Sequence, residues 1–252
     1  MLSKNKIKYI RSLDLKKMRN KDRVFVAEGP KLVDELLPSF ECLFLAATED
    51  YLRGKLIGKD TDFAEVTQEE LQRTSFLKTP QEVVAVFRQP DYPLDLHLPE
   101  TELCLALDDV QDPGNLNTIV RIADWFGIRH IFCSAGTADI YNPKTVQATM
   151  GAIARVKLHY LQLTDLFTSL SSDVRVFGTF LDGKNIYSED LSETGLIVMG
   201  NEGNGISREV ERFINQRLYI PNYPQGEKTS ESLNVAVATA VTCAEFRRRF
   251  MK

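Results

Sequence analysis

Ser232-Leu233-Asn234-Val235-Ala236-Val237-Ala238-Thr239-Ala240, at the start of the last long helical run, decides how this chain is read. Two earlier stretches pair with it, Asn115-Leu116-Asn117-Thr118-Ile119-Val120-Arg121 and Gly200-Asn201-Glu202-Gly203-Asn204-Gly205. Ser232 suits the N-cap of a helix over 233–250, which would put Asn234 in its first turn. Asp112-Pro113-Gly114-Asn115 reads as a turn into a helix over 116–126, with Arg121 among Ile119, Val120, Ile122 and Ala123. An arginine in such company needs an anionic partner or a route to solvent, because an isolated buried charge is costly. The glycine-rich turn follows the apolar run Leu196-Ile197-Val198-Met199, where its backbone is able to approach a ligand closely. It is not a Walker loop, since no Lys-Ser or Lys-Thr follows. Its glycines also miss the G-x-G-x-x-G spacing, and it comes after several strands rather than the first, which disfavours an ordinary dinucleotide-binding domain.

The 252 residues, 43% of them apolar, suffice for one large or two modest domains with an ordinary core. Residues 1–10 carry Lys4, Lys6 and Lys8 and no apolar run, so neither a signal peptide nor a membrane anchor is expected, and the protein is placed in the cytoplasm. Cys42, Cys104, Cys133 and Cys243 are far apart, and His97, His130 and His159 are equally scattered. They are read as core thiols and non-catalytic histidines, with no metal site. A net charge of −4 argues against indiscriminate nucleic-acid binding. Up to Arg23, however, nine basic residues face only Asp14 and Asp22. Ile7, Ile10, Leu13 and Met18 recur among them at roughly helical spacing, so the opening is expected to be a short amphipathic helix with a cationic face that includes Lys16, Lys17 and Arg19.

Strands are expected at 24–27, 42–47 and 82–87 with a helix over 29–37, a small α/β unit. Gln89-Pro90-Asp91-Tyr92-Pro93 and Pro99 then place a linker over 89–100. Further short apolar runs at 103–107, 131–133, 174–179, 196–199 and 218–220 have the character of strands buried on both faces of a mostly parallel sheet. The expected domains are therefore 1–92 and 101–252. Arg247-Arg248-Arg249 suits a helix C-terminus electrostatically and carries no functional weight.

Taken together, the three polar segments resemble the motifs of the SpoU-type (TrmH-like) RNA 2′-O-ribose methyltransferases of the SPOUT class, over residues 103–246. Phe25-Val26-Ala27-Glu28-Gly29 and Lys31-Leu32-Val33 look like the RNA substrate-binding domain attached to many members, so Lys16, Lys17 and Arg19 of the cationic face are expected to bind RNA. The resemblance implies an α/β fold whose C-terminal, mostly parallel sheet is flanked by helices and ends in a trefoil knot, a rare exception to unknotted chains. It implies S-adenosylmethionine as cofactor, held largely by main-chain groups of loops containing Gly200, Ile220, Leu233 and Thr179. It implies a homodimer in which Arg121 reaches the partner's cofactor pocket, with Asn115, Glu202, Ser232 and Asn234 completing the polar catalytic set.

The reaction implied is methyl transfer to a ribose 2′-hydroxyl of structured RNA, ribosomal rather than transfer RNA on the likeness of the first domain. The chain departs from the family between Pro221 and Ser232, where its link is longer than usual and Asn222 replaces the frequent methionine. A tRNA methyltransferase, a non-catalytic RNA-binding or ribosome-assembly protein of the same fold, and a nucleotide-dependent enzyme unrelated to RNA stand as the alternatives.

Overall fold

The computed structural model describes residues 2–55, 61–224, 227 and 229–251. Contacts divide the chain into two compact units, Met1–Asp91 with Asp139–Ala154, and Tyr92–Ala138 with Arg155–Lys252.

The first unit runs α1 (Lys4–Ser12), α2 (Lys16–Asp22), β1 (Val24–Glu28), α3 (Pro30–Leu36), β2 (Cys42–Ala47), α4 (Glu49–Leu52), β3 (Asp62–Glu65), α5 (Gln68–Thr74) and β4 (Val83–Arg88). Its sheet has the order β1-β4-β2-β3, with β4 antiparallel to both neighbours and β3 parallel to β2. The single opening helix expected from the sequence is two helices. Ile10 and Leu13 are fully buried against Val24, Val26, Phe44 and Val86, and Leu15 adopts an extended conformation that interrupts the helix. A second apolar group forms where Phe25 stacks on Phe87 at 5.5 Å and meets Phe40 edge-on at 5.2 Å.

The second unit contains α6 (Leu98–Thr101), β5 (Leu103–Leu107), α7 (Pro113–Trp125) and β6 (His130–Cys133). The next segment, with α8 (Pro143–Ala148) and a turn of 3-10 helix at Ala152–Ala154, belongs by its contacts to the first unit. The second unit then continues with β7 (Lys157–Tyr160), α9 (Leu163–Ser169), β8 (Val176–Asn185), β9 (Gly195–Met199), α10 (Arg208–Glu211), β10 (Gln216–Tyr219) and α11 (Val235–Phe250). Six parallel strands form one sheet in the order β10-β8-β9-β5-β6-β7. Every residue of the central strands β5 and β9 is buried, as a sheet covered on both faces requires. Cys104, Ala106, Phe132, Leu196 and Val198 pack with Leu166 and Phe167 of α9, and Phe177 of β8 meets Phe246 of α11 edge-on at 4.8 Å.

Two features of this sheet shape the site. The pairing of β8 with β10 jumps from Gly178 opposite Arg217 to Lys184 opposite Leu218, so residues 179–183 bow out of the ladder. Gly183 permits this, since a Cβ there would stand 2.5 Å from the main chain of Leu218. In addition, α7 and α11 lie side by side in the same direction. Asn234 at the head of α11 bonds Asn115 near the head of α7 at 2.9 Å, and Arg247 near its end bonds the carbonyl of Phe126 at 2.7 Å. Both helices therefore bring their N-terminal ends to one place.

The four cysteines are buried free thiols, as expected. Pro99 does not exclude regular structure from the linker, because it sits in the first turn of α6, where a missing N–H costs nothing. Among the described residues no helix is long and apolar enough to cross a membrane.

Candidate active site

The loops after β5, β8, β9 and β10 leave the same carboxyl edge of the parallel sheet, the edge at which open α/β sheets hold their ligands. Gly200 begins the loop after β9. A Cβ on it would lie 2.2 Å from the carbonyl carbon of Gly205 and 2.3 Å from the nitrogen of Ile206, so only glycine fits. The loop closes on itself through reciprocal 2.9 Å main-chain bonds between Asn201 and Gly205, whose φ is 69°. The Asn201 amide fixes it further. Its oxygen accepts from the N–H groups of Gly203 and Asn204, and its nitrogen donates to the carbonyl of Asp109 at 2.8 Å. Asp109 itself has a φ of 63° at the end of β5, which places a strained non-glycine residue at the site.

Glu202 projects from this loop to the head of α7. Its carboxylate accepts from the N–H of Asp112 at 3.1 Å, the N–H of Gln111 at 3.3 Å and the side-chain nitrogen of Asn115 at 2.9 Å. Burial works to raise its pKa, but the hydrogen bonds from Asn115 and from the main chain outweigh it, and the net shift is downward. Asp112 caps α7 by accepting from the N–H of Asn115 at 2.8 Å. The Asn115 oxygen accepts from the Asn234 amide at 2.9 Å, and the Asn234 oxygen accepts from the N–H groups of Ala236 and Val237. One unbroken chain of side chains thus runs from the head of α11 through α7 to the glycine loop. Asn234 is the N-cap of α11, which starts at Val235; the expectation that Ser232 caps this helix is corrected, and Ser232 instead lies on the wall of the adjoining cavity.

That cavity has a volume of about 560 Å³. Its wall includes Thr179, Gly200, Ile220 and Leu233, the four residues expected at a cofactor, together with Glu202 and Ser232. Sequence reasoning missed Phe180, Glu211 and Arg217 on the same wall. The first belongs to the bow in β8, Glu211 ends α10 and Arg217 lies within β10, where no motif marks them.

Arg121 stands apart. It is exposed on α7, is absent from the cavity wall, and makes no hydrogen bond or ion pair among the described residues. Six positions beyond Asn115, it is about 9 Å farther along the helix and on another face. In the first unit, Lys16 and Lys17 are exposed in the first turn of α2. Arg19 is not available to RNA. It is 1% exposed, donates to the carbonyls of Leu13 and Asp14 at 2.7 Å each, and pairs with Asp139 at 2.6 Å. Its charge is used inside the unit to fix the turn between α1 and α2.

The model of the SpoU rRNA methylase family matches residues 102–244. The chain belongs to this family. The MRM3-like substrate-binding domain matches residues 4–85. Among curated relatives, the 23S rRNA (guanosine(2553)-2′-O)-methyltransferase RlmP of Bacillus subtilis is 32% identical, with 96% of each chain covered. Among solved structures, a TrmH-family protein from Porphyromonas gingivalis superposes with a TM-score of 0.90 at 44% identity, covering 99% of each chain. An AdoMet-bound rRNA methyltransferase from Sinorhizobium meliloti superposes with a TM-score of 0.86 at 30% identity, covering 100% of this chain and 97% of that one. In this SpoU-family chain, then, the three polar segments quoted first come together on one edge of the sheet, except for Arg121.

Proposed function

We propose that the protein uses S-adenosylmethionine to methylate a ribose 2′-hydroxyl of ribosomal RNA, as a cytoplasmic homodimer with residues 101–252 as methyltransferase domain and 1–92 as RNA substrate domain. The observation that carries this reading is the convergence of the Gly200 loop, Ile220 and Leu233 on one cavity beside the Asn234-Asn115-Glu202 chain. The cavity volume falls in the usual range for small-molecule sites. Its wall suits an adenosine, with main-chain groups at Gly200 for close approach and Ile220 and Leu233 as apolar surfaces. A trefoil knot in the C-terminal segment is part of the same reading.

When bound, the cofactor would supply an electrophilic sulfonium methyl group. The chain's own residues must hold the hydroxyl in line and let its proton leave. A guanidinium is a poor general base. The task of Arg121 is to grip the phosphate beside the target ribose and orient the hydroxyl, whose loss of a proton that phosphate assists. Glu202, which accepts three hydrogen bonds, positions the head of α7 against the glycine loop. Because Arg121 is remote from its own cavity, it serves the cavity of the partner in the dimer. Lys16 and Lys17, cations in a helix's first turn where the dipole disfavours them, serve the RNA phosphates.

The deciding experiment incubates the protein with tritiated S-adenosylmethionine and ribosomal RNA from cells lacking it, and maps the ribose methylation. The expected result is label at a discrete 2′-oxygen. Cofactor binding by calorimetry without any transfer to ribosomal RNA would overturn the assignment.

A further inference from the structure

Arg217 is the single cation among the described residues on the cavity wall. Its guanidinium donates from Nη1 to Glu211 of α10 at 2.6 Å and from Nη2 to Asp182 of the β8 bow at 2.6 Å, and it lies 3.6 Å from the centre of the Phe180 ring. Two separate elements, α10 and the β8 bow, thus hold one guanidinium in place. The side chain is 36% exposed, so these ion pairs add little to stability. What they do provide is a fixed orientation before any ligand arrives, which lowers the ordering cost of binding. The guanidinium also has more N–H donors than these two bonds use.

Elsewhere the wall offers glycine main chain and the apolar side chains Ile206, Ile220 and Leu233, suited to a nucleoside. A guanidinium set between two carboxylates suits a different chemical group, one that carries a carboxylate and an ammonium on the same carbon. We propose that the Arg217-Glu211-Asp182 cluster receives the zwitterionic amino-acid end of the cofactor, the α-carboxylate on Arg217 and the α-ammonium on Glu211. This inference rests on the reading of the cavity as the S-adenosylmethionine site.

Calorimetry with two ligands tests it, S-adenosylhomocysteine and 5′-methylthioadenosine, which share the nucleoside and thioether while the second lacks the amino acid. Arg217→Met, which keeps an aliphatic stem on Phe180, weakens S-adenosylhomocysteine by about tenfold or more, the loss of one charge-assisted hydrogen bond. Binding of 5′-methylthioadenosine changes by less than about twofold. Glu211→Gln, nearly identical in shape, shows the same selectivity to a smaller extent and decides the matter if Arg217→Met does not fold. Equal weakening of both ligands would make the cluster a mere wall support and overturn the proposal, as would unchanged affinity for both. A wild-type protein that binds neither ligand would remove the cofactor reading first, an outcome distinct from either.

Discussion

The Glu202 carboxylate receives three donors, and a glutamine in its place would turn an amide nitrogen toward N–H groups that need an acceptor. Its pKa lies below the ordinary 4.5, because the bonds from Asn115 and the main chain outweigh burial. A lowered carboxylate pKa means that the stabilisation is present above the unfolded-state value and is lost as pH falls through the folded-state one. Glu202→Gln should therefore melt below wild type at neutral pH, with a gap that closes in acid; a gap that widened in acid would contradict this geometry. Asn234 and Ser232 form a second contrast. Asn234→Ala removes the cap of α11 and the bond to Asn115 and should cost about 1–2 kcal/mol in urea unfolding. Ser232→Ala should cost under about 0.5 kcal/mol, since Ser232 caps nothing. The sequence reading chose Ser232 because serine and asparagine cap equally well, and only the position of the first helical residue separates them.

At the level of elements, the central strands were legible because burial on both faces demands continuous apolar runs, as in Leu103-Cys104-Leu105-Ala106-Leu107. The edge strands β3 and β7 carry no such demand; Asp62–Glu65 and Lys157–Tyr160 are short runs that mix polar and apolar residues, and neither is among the expected strands. Charge counting failed at Arg19 for a related reason, since a run of basic residues does not reveal which one turns inward. Arg19→Met should destabilise by about 3–5 kcal/mol, because it strands Asp139 and two carbonyls. Lys16→Ala with Lys17→Ala should leave the melting temperature unchanged and lower the slope of log affinity for RNA against log salt by about 0.7–0.9 per lost phosphate contact. On β6 and β7, His130 and His159 share a hydrogen bond at 3.1 Å with stacked rings. Burial first, then the charges of His130 and Lys157, push His159 down to about 4, and burial also lowers His130. The unfolded chain then takes up protons that the folded one refuses, so stability is full above pH 6.5 and falls from there toward 4. His159→Phe keeps the ring contact with Phe132 and should flatten that fall in melting curves between pH 6.5 and about 5.

For the whole molecule, the decisive question is where Arg121 does its work. The helix that holds Asn115 against Glu202 of the cavity wall turns Arg121 to another face, and this cannot be read from a motif in which the two are only six residues apart. The same helix ends in Trp125, the chain's sole tryptophan, 85% exposed, and beside it α11 exposes Val237 and Phe250. In the proposed dimer, a twofold pairing through α7 would cover Trp125 and carry each Arg121 toward the other protomer's glycine loop. Two inactive variants make this measurable. Arg121→Ala should bind cofactor normally and transfer nothing. Gly200→Ala, whose added carbon collides with Gly205 and Ile206, should bind no cofactor. Unfolded together and refolded at equal concentrations, they would assort into mixed dimers in which one site has both an intact cavity and an intact arginine. Random assortment should then restore about one quarter of wild-type transfer. If the mixture stays as inactive as either parent although mixed dimers are present, Arg121 acts within its own chain and the shared site is wrong.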